Sequence, residues 1–501
     1  MKLQQKELSP PATPPIKHKS VSSSFQLRAL ETNCFEHDRL VSSFQLLSPT
    51  QKQYFLFDIV RVCDNSQISF LNTLIAPRLK VDFLKQLPAE LSLQILSYID
   101  SPRTLTRTAT VSKHWNFFEK DEKLWKKLCQ IYNYDMDQSF HSYRSHFKHR
   151  YNINNAWIKG GKVTTVEGGF SQGLVTSMQF DEKYIVVGCD NHRIEVFDTK
   201  TGNKITTLEG HEGGVWTLQF KGGEHGDEHI LVSGGCDRDV RVWALNRGKL
   251  LHTLRGHTST IRCLKMKDKQ IVVTGSRDST LRVWDIKRGV LIHVLIGHQA
   301  SVRCVDICDN LCISGSYDST ARIWDIQTGE CKHILAGHLS QIYTIVTNGT
   351  IVATGSMNAH IRIWSVDTGE CLAVLNGHTS LVGQLQLTGD TLFSGGADGC
   401  LRVWDIKSSN FDCLHQFSAH DNSITCLQFN QHYIVSAAND GNVKLWDIKN
   451  GRLIRQFTNP SKIVWKVQFN DTKAVVLIQR QSQNSDRCKT VMEIHDFDVV
   501  K

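Results

Sequence analysis

The sequence predicts an all-β ring of about eight four-stranded units preceded by a smaller all-α region, and three observations carry that prediction. First, a tryptophan motif recurs as RVWA with Trp243, RVWD with Trp284, RIWD with Trp324, RIWS with Trp364, RVWD with Trp404 and KLWD with Trp446, at spacings of 41, 40, 40, 40 and 42 residues. EVFD with Phe197 extends the series upstream, and EIHDF with His495 reads as a decayed copy downstream. Second, the intervals hold short alternating stretches such as TIRCLKM and QIVVTGS, broken by Gly, Asp and Ser, as expected of antiparallel strands joined by tight turns. Third, residues 1 to 160 share none of the repeat, and 501 residues exceed one ordinary core, so at least two folding regions are expected.

The elements follow in chain order. Residues 1 to 35 are rich in Pro and Ser and read as a disordered tail. Ser9-Pro10, Thr13-Pro14 and, further on, Ser48-Pro49 are candidate proline-directed phosphorylation sites, and PPATPPIK around Thr13 makes self-recognition conceivable. Residues 36 to 80 hold FLFDIVRVC and ISFLNTLIAPRL, with Phe55, Ile59 and Val62 at helical spacing. Residues 81 to 128 open on Leu87-Pro88 and place Leu91, Ile95, Leu96 and Ile99, then Leu105, Val111, Trp115 and Trp125, on short amphipathic helices with too little core to stand alone. Residues 129 to 161 read as a mostly helical spacer. The ring occupies 162 to 501, and KVTTVE at 162 to 167 copies KITTLE at 204 to 209, the fourth strand of a unit. A fourth strand thus precedes the first complete set of three while the last unit ends without one, so the first strand is expected to complete the last sheet and leave no open edge.

Composition removes several classes. The net charge of +9 is mild for this length and does not by itself imply nucleic acid. The N-terminus lacks an apolar signal core and no run reaches bilayer length, so no membrane association and a place in nucleus and cytoplasm are expected. Fifteen cysteines include no CxxC pair, and Cys304, Cys308 and Cys312 fall in adjoining strands and a turn of one repeat. They read as reduced, packed thiols; no metal site and no cofactor are expected.

Each unit also repeats His, Ser or Thr, Asp and Trp, as in His257, Thr274, Asp278 and Trp284, then His298, Ser314, Asp318 and Trp324. His, Ser and Asp imitate a nucleophilic triad, but five or six active sites at 40-residue intervals make no chemical sense. The set reads as a hydrogen-bonded network inside each sheet, and no catalytic residue is expected.

Gly-His near the start of each unit and Trp-Asp near its end resemble the WD repeat, which implies a β-propeller over 162 to 501. Residues 82 to 128, DFLKQLPAELSLQILSYIDSPRTLTRTATVSKHWNFFEKDEKLWKKL, resemble an F-box. That resemblance implies docking on the Skp-type adaptor of a cullin-based SCF ubiquitin ligase, through Leu87, Pro88, Leu91, Ile95, Leu96 and Trp115. Residues 36 to 80 resemble the dimerisation segment preceding the F-box in some members, which implies a homodimer.

Because repeats align with one another, positions that only hold a blade together look alike, and positions that differ are free or specialised. Before the turn Asp or Asn the units carry Cys236, Arg277, Tyr317, Met357, Ala397 and Asn439; five residues after the His they carry Trp216, Arg262, Arg303, Tyr343, Gly383 and Thr425. Arg238 stands after the Asp where others have Ser, Ala or Gly. These residues should emerge on one face, where clustered guanidinium groups need an anion, and Arg offers a planar fork suited to phosphate. The reading is a phosphopeptide pocket; a compact cluster matches a nucleic-acid backbone poorly. By contrast Arg241, Arg282, Arg322, Arg362 and Arg402 recur before the Trp and read as strand-surface residues.

The combination resembles the cell-division-cycle phosphodegron receptors of SCF ligases. The resemblance implies that Arg262, Arg277 and Arg303 clamp a phosphothreonine or phosphoserine, that Trp216 packs on the following proline, and that Arg238 serves a second site. Tyr317 would add a hydroxyl contact beside Tyr343, with Ser259 and Thr260 supporting the clamp. Cys236 departs from the hydroxyl residue usual there; Ala244 and Ser365 replace the Asp of Trp-Asp, Asn358 a turn Asp, and Ala419 the Gly before His420. The implied role is non-catalytic substrate presentation leading to ubiquitination and degradation; the alternative is a WD scaffold without a ligase role.

Overall fold

The computed structural model describes residues 34–79, 82–136, 140–167, 170, 173–222, 228–408, 410–481 and 488–498. Ser9, Thr13 and the rest of the tail up to residue 33 lie outside the described residues. The chain divides into two compact units, Met1–Leu124 and Trp125–Lys501.

In the first unit the helices are α1 (Cys34–Leu46), α2 (Pro49–Val62), α3 (Asn65–Leu79), α4 (Phe83–Gln86), α5 (Ala89–Ser97), α6 (Pro102–Thr108) and α7 (Lys113–Glu119), with α8 (Glu122–Ile131) crossing into the second. Ser48 starts α2 with a capping box: its hydroxyl accepts from the Gln51 amide and Gln51 Oε1 accepts from the Ser48 amide. Asp82 caps α4 and accepts a 2.7 Å bond from the Trp115 indole, which holds its carboxyl below the usual range. Leu84, Leu96, Leu105 and Phe118 are buried. α2 buries nothing, and Tyr54, Phe57 and Val62 stand exposed.

In the second unit, eight four-stranded antiparallel sheets form a propeller. Blades 1 to 7 run in sequence, the first strands of blades 2 to 7 being Val215–Lys221, Ile261–Met266, Val302–Cys308, Ile342–Thr347, Val382–Thr388 and Ile424–Phe429. Blade 8 consists of Ile463–Phe469, Lys473–Gln481 and Cys488–Asp496, completed by Lys162–Glu167, which pairs from Lys162 with Asp496 to Glu167 with Val491. Most valines, leucines and isoleucines of the inner strands are buried, Ile230, Ile271 and Leu311 only partly, and the packing runs between adjacent blades. Glutamines on innermost strands also tie blades together: the Gln179 amide donates to Phe220 O and accepts from Phe220 N, and Gln428 does the same with Phe469.

Between the units in sequence, the spacer is less uniform than expected. Of residues 129 to 161 the helical parts are the end of α8 and α9 (Tyr143–Lys159). The last turn of α9 is part of the propeller core: Trp157 is 2% exposed, stacks on Phe497 at 4.0 Å, and donates its indole N–H to Asp471 O. Arg455 Nε bonds the Trp157 carbonyl, satisfying a helix-end acceptor.

The arginines before each Trp also differ from expectation. Arg282, Arg322, Arg362 and Arg402 lie over the indoles of their own blades at 5.9–6.0 Å, and Arg402 is only 8% exposed. They crowd the glycine before the histidine: a Cβ at Gly256 would sit 2.5 Å from Arg282 Nη1, so the guanidinium would have to shift to admit one. Blade 7 explains its own departure, since the slimmer Lys444 replaces that arginine where Ala419 replaces the glycine, and Lys444 Nζ donates to Ala419 O.

Among the described residues no helix is long and apolar enough to cross a membrane, and no group of three or more His, Cys, Asp or Glu is placed to hold a metal.

Candidate functional site

The repeated network fixes one loop against one turn in each blade. In blade 3 the Trp284 indole donates to Thr274 Oγ1 at 2.9 Å, Thr274 Oγ1 meets His257 Nε2 at 2.9 Å, and His257 Nδ1 meets Asp278 at 2.9 Å. The directions are mutually consistent for a neutral imidazole donating to the carboxylate, so each bond polarises the next. Blades 2, 4, 6 and 7 repeat it through His211–Asp237, His298–Asp318, His378–Asp398 and His420–Asp440. Burial pushes the Asp278 carboxyl up, but bonds from His257 and Thr280 outweigh it and hold the group well below the usual carboxylate range; Asp318 behaves alike.

Two positions per blade are released from this framework, and the candidate residues occupy them. One is a β-bulge near the start of the first strand, where the pairing skips Trp216, Arg262, Arg303 and Tyr343 in blades 2 to 5. A bulged residue is unpaired and re-aimed, free of the in-and-out alternation. The other is the turn after the second strand, which carries Cys236, Arg277, Tyr317 and Met357 and continues into a left-handed residue: Arg238 at φ 68°, Ser279 at 68°, Ser319 at 67° and Ala359 at 68°.

The loop and the turn are bonded together. Arg277 N donates to Thr260 O at 2.9 Å, and Ser276 Oγ donates to the carbonyls of Ser259 and Thr260. Ser259 and Thr260 therefore support Arg277 through their backbone. Bulge and turn residues of neighbouring blades then meet. The Arg262 guanidinium lies 5.0 Å from the Trp216 ring centre, Arg303 lies 5.9 Å from Tyr343, and the Tyr317 and Tyr343 rings are 5.3 Å apart. Trp216 is 41% exposed, and its indole donates to Cys236 Sγ at 2.7 Å, so the residue that departs from the family pattern tethers the aromatic wall. Burial, then the Tyr317 contact, raises the Tyr343 hydroxyl above its ordinary range.

Charge balance separates these arginines from others. Arg241 lies near Asp237 and Asp239, Arg255 near Asp239, and Arg288 near Asp285. Among the described residues Arg238, Arg262, Arg277 and Arg303 have no carboxylate partner. Arg238 and Arg277 are exposed, Arg262 and Arg303 half-buried. Met357, 52% exposed at the turn position next to Tyr317's blade, adds an apolar element that the sequence reading tabulated without giving it a role.

In the helical unit the six adaptor candidates do not share one surface. Leu91 (46%) and Ile95 (41%) are exposed on α5, and Pro88 precedes it, exposed. Leu96 is 2% exposed and faces the core; Leu87 and Trp115 are half-buried, Trp115 held by Asp82 and packed edge-on against Phe83. Val111, which the spacing named, is exposed, as are Phe83, Tyr98 and Phe117, which it had not singled out.

Comparison with known proteins follows this division. The F-box-like family matches residues 84–131, and the WD domain, G-beta repeat family matches 202–244, 248–285, 289–325, 329–365, 369–405 and 411–447. The chain is similar to WD repeat-containing protein pop1 of Schizosaccharomyces pombe, 32% identical over 266 residues, 49% of this chain and 33% of that protein. It is similar to cell division control protein 4 of Saccharomyces cerevisiae, 34% identical over 229 residues, 42% of this chain and 29% of that one. It is also similar to a probable E3 ubiquitin ligase complex SCF subunit sconB of Arthroderma otae, 27% identical over 219 residues, 42% of this chain and 30% of that one. The matches thus span about a third of the length of these relatives. Among solved structures, the computationally designed Ika8 protein matches with a TM-score of 0.59 and 34% identity, covering 66% of this chain and 98% of that one. With an F-box-like segment ahead of a ring of WD repeats, the chain belongs to the F-box/WD-repeat proteins.

Proposed function

We propose that the chain is the substrate-recognition subunit of an SCF-type ubiquitin ligase, reading a phosphothreonine or phosphoserine followed by proline. The observation that carries the reading is the set of four arginines without carboxylate partners on the bulges and turns of blades 2 to 4. Arg262, Arg277 and Arg303 take the phosphate in charge-assisted bonds, the Trp216 face takes the proline ring, and Arg238 serves a second anionic group. The Tyr317 and Tyr343 pair closes the side toward Met357. None of these residues forms a covalent intermediate; the receptor raises the concentration of target lysines near the ubiquitin-charged enzyme.

The exposed Leu91 and Ile95 face of α5 is the part of the F-box offered to a Skp-type adaptor, and through it to the cullin. The exposed apolar residues of α2 and α3 give the homodimer its surface, with Phe55 and Ile59 beside Phe70 and Leu74 as its apolar stock. Nucleus and cytoplasm are the proposed locations.

The deciding test is binding of the full chain to a Leu-Pro-Thr-Pro-Pro peptide with and without phosphate on the threonine. Phosphate-dependent binding that Arg277→Ala weakens is the expected result. Binding indifferent to phosphate would overturn it. Failure of the adaptor to co-purify with the chain would favour a WD scaffold instead.

A further inference from the structure

The chain's net charge is concentrated in one tenth of its length. Residues 241 to 288 contain 12 Lys and Arg against 3 Asp and Glu, an excess equal to the +9 of the whole molecule. Arg262 and Arg277 belong to the face already described. Of the remainder, Lys249 and Arg255 bound the outer strand of blade 2, and Lys287 and Arg288 precede that of blade 3; the Arg255 side chain is 80% exposed near Asp239 and that of Arg288 78% exposed near Asp285.

Lys287 and Arg288 lead into an uncharged edge. The outer strand of blade 3, Val290–Leu295, reads VLIHVL and exposes Val290 at 48%, Leu291 at 39%, Ile292 at 40% and Val294 at 37%, with Ile296 beyond it at 75%. Its outward backbone edge is unpaired, as it is the last strand of its sheet. Open edges are ordinarily blunted by charge. Blade 4 does so: Lys332 holds the bulge position that Ile292 holds here. Blade 2 begins its outer strand with Lys249. Blade 5 is likewise uncharged over Cys371–Leu375 but follows the acidic VDTGE, whereas the strand of blade 3 follows Lys287 and Arg288.

We infer that the outer edge of blade 3 docks an extended protein segment that presents aliphatic side chains to residues 290–296 and acidic side chains to Lys287 and Arg288 at the start of the strand. The arrangement is that of an interface, apolar at its centre and charged at its rim. Strand addition supplies backbone bonds, alternate side chains supply selectivity, and the cations speed encounter with an acidic partner. A nucleic acid would bring phosphates to the rim but leave the aliphatic strip without the aromatic platforms on which bases stack. The site is separate from the arginine face, so one chain can hold two segments at once.

The probe is a fluorescent synthetic peptide, Glu-Asp-Glu-Glu-Val-Thr-Val-Thr-Val-Thr, titrated against the full chain, with hydrogen exchange followed across both units. The expected result is saturable binding, weakened by salt, with slowed exchange confined to residues 290–296. Lys287→Glu/Arg288→Glu and Ile292→Ser/Val294→Ser should each weaken it at least about fivefold. Both variants should keep the wild-type melting temperature and phosphopeptide binding, which shows the fold intact and separates this site from the proposed receptor function. Equal binding of an all-Glu peptide, protection on the arginine face, stronger binding to anionic vesicles than to the peptide, or no binding would each overturn the inference.

Discussion

Blades 3 and 5 share one skeleton and differ along the turn, Arg277-Asp278-Ser279-Thr280 against Met357-Asn358-Ala359-His360. In blade 3 Asp278 accepts from His257 Nδ1, the Thr258 amide, the Thr280 amide and the Thr280 hydroxyl. In blade 5 the carboxylate is gone and His338 Nδ1 has no partner among the described residues, while His338 Nε2 to Thr354 at 2.7 Å and the Trp364 indole to Thr354 at 2.8 Å persist. The residue after each turn still adopts φ 68°. The buried His, Thr and Trp therefore suffice to set the blade, and the carboxylate adds stability and holds the loop. The residue before it carries no such duty. Its identity is left to the ligand, which is why one blade can show arginine and its near-copy methionine.

The sharpest break of that comparison is at the tip. Arg277→Ala should cost roughly 10- to 100-fold in phosphopeptide affinity, the value of one charge-assisted bond, with the melting temperature unchanged. Met357→Ala in the same titration should cost only a few-fold. Next comes the framework: Asp278→Ala should destabilise the propeller by about 2 kcal/mol in urea unfolding, because it leaves the His257 and Thr258 donors unpaired. Asn358→Asp, the reciprocal change, should stabilise by about 1 kcal/mol and raise the His338 pKa, read by NMR titration.

The smallest effect is in pH. Burial, followed by Arg362 and His360, pushes the His338 imidazole down to about 4. An unfolded histidine takes its proton near 6.5, so the stability His338 contributes is complete above that pH and is lost between 6.5 and 4. Asn358→Asp should make the unfolding midpoint less steep in pH across that window than in wild type. For Asp278 the window lies lower: its contribution is present above the ordinary carboxylate range and is lost only in stronger acid.

Much of this was legible without coordinates. The period set the blade count, the KVTTVE copy placed the closing strand, and alignment of the repeats separated framework from tips. The bulges were not legible, because a bulge is a property of register between strands, and Arg262 and Arg303 have ordinary strand neighbours in sequence. Nor was the fate of Trp157, since α9 has polar residues on all sides and nothing in it marks one indole for the core of another element. The arginines before each Trp misled for a related reason: alternation placed them outward, and the indole two residues on drew them flat against the blade. Leu96 faces its own core, which helical spacing alone does not reveal, because it cannot tell which apolar side of a short helix meets that core.

The pairing of Lys162–Glu167 with Cys488–Asp496 also has a consequence in time. Seven blades can close soon after they leave the ribosome, each from strands made within about 40 residues of one another. The eighth cannot. Its outermost strand is synthesised first, and its partner follows more than 300 residues later, which at 5 to 20 residues per second is about 15 to 70 s. Throughout that interval the strand that joins α9 to the ring is an unmatched edge in a nascent chain. Synthesis of Cys488–Asp496 is thus also the step that closes the circle, and a ribosome that stalls before it leaves a propeller complete in seven blades and open at the eighth.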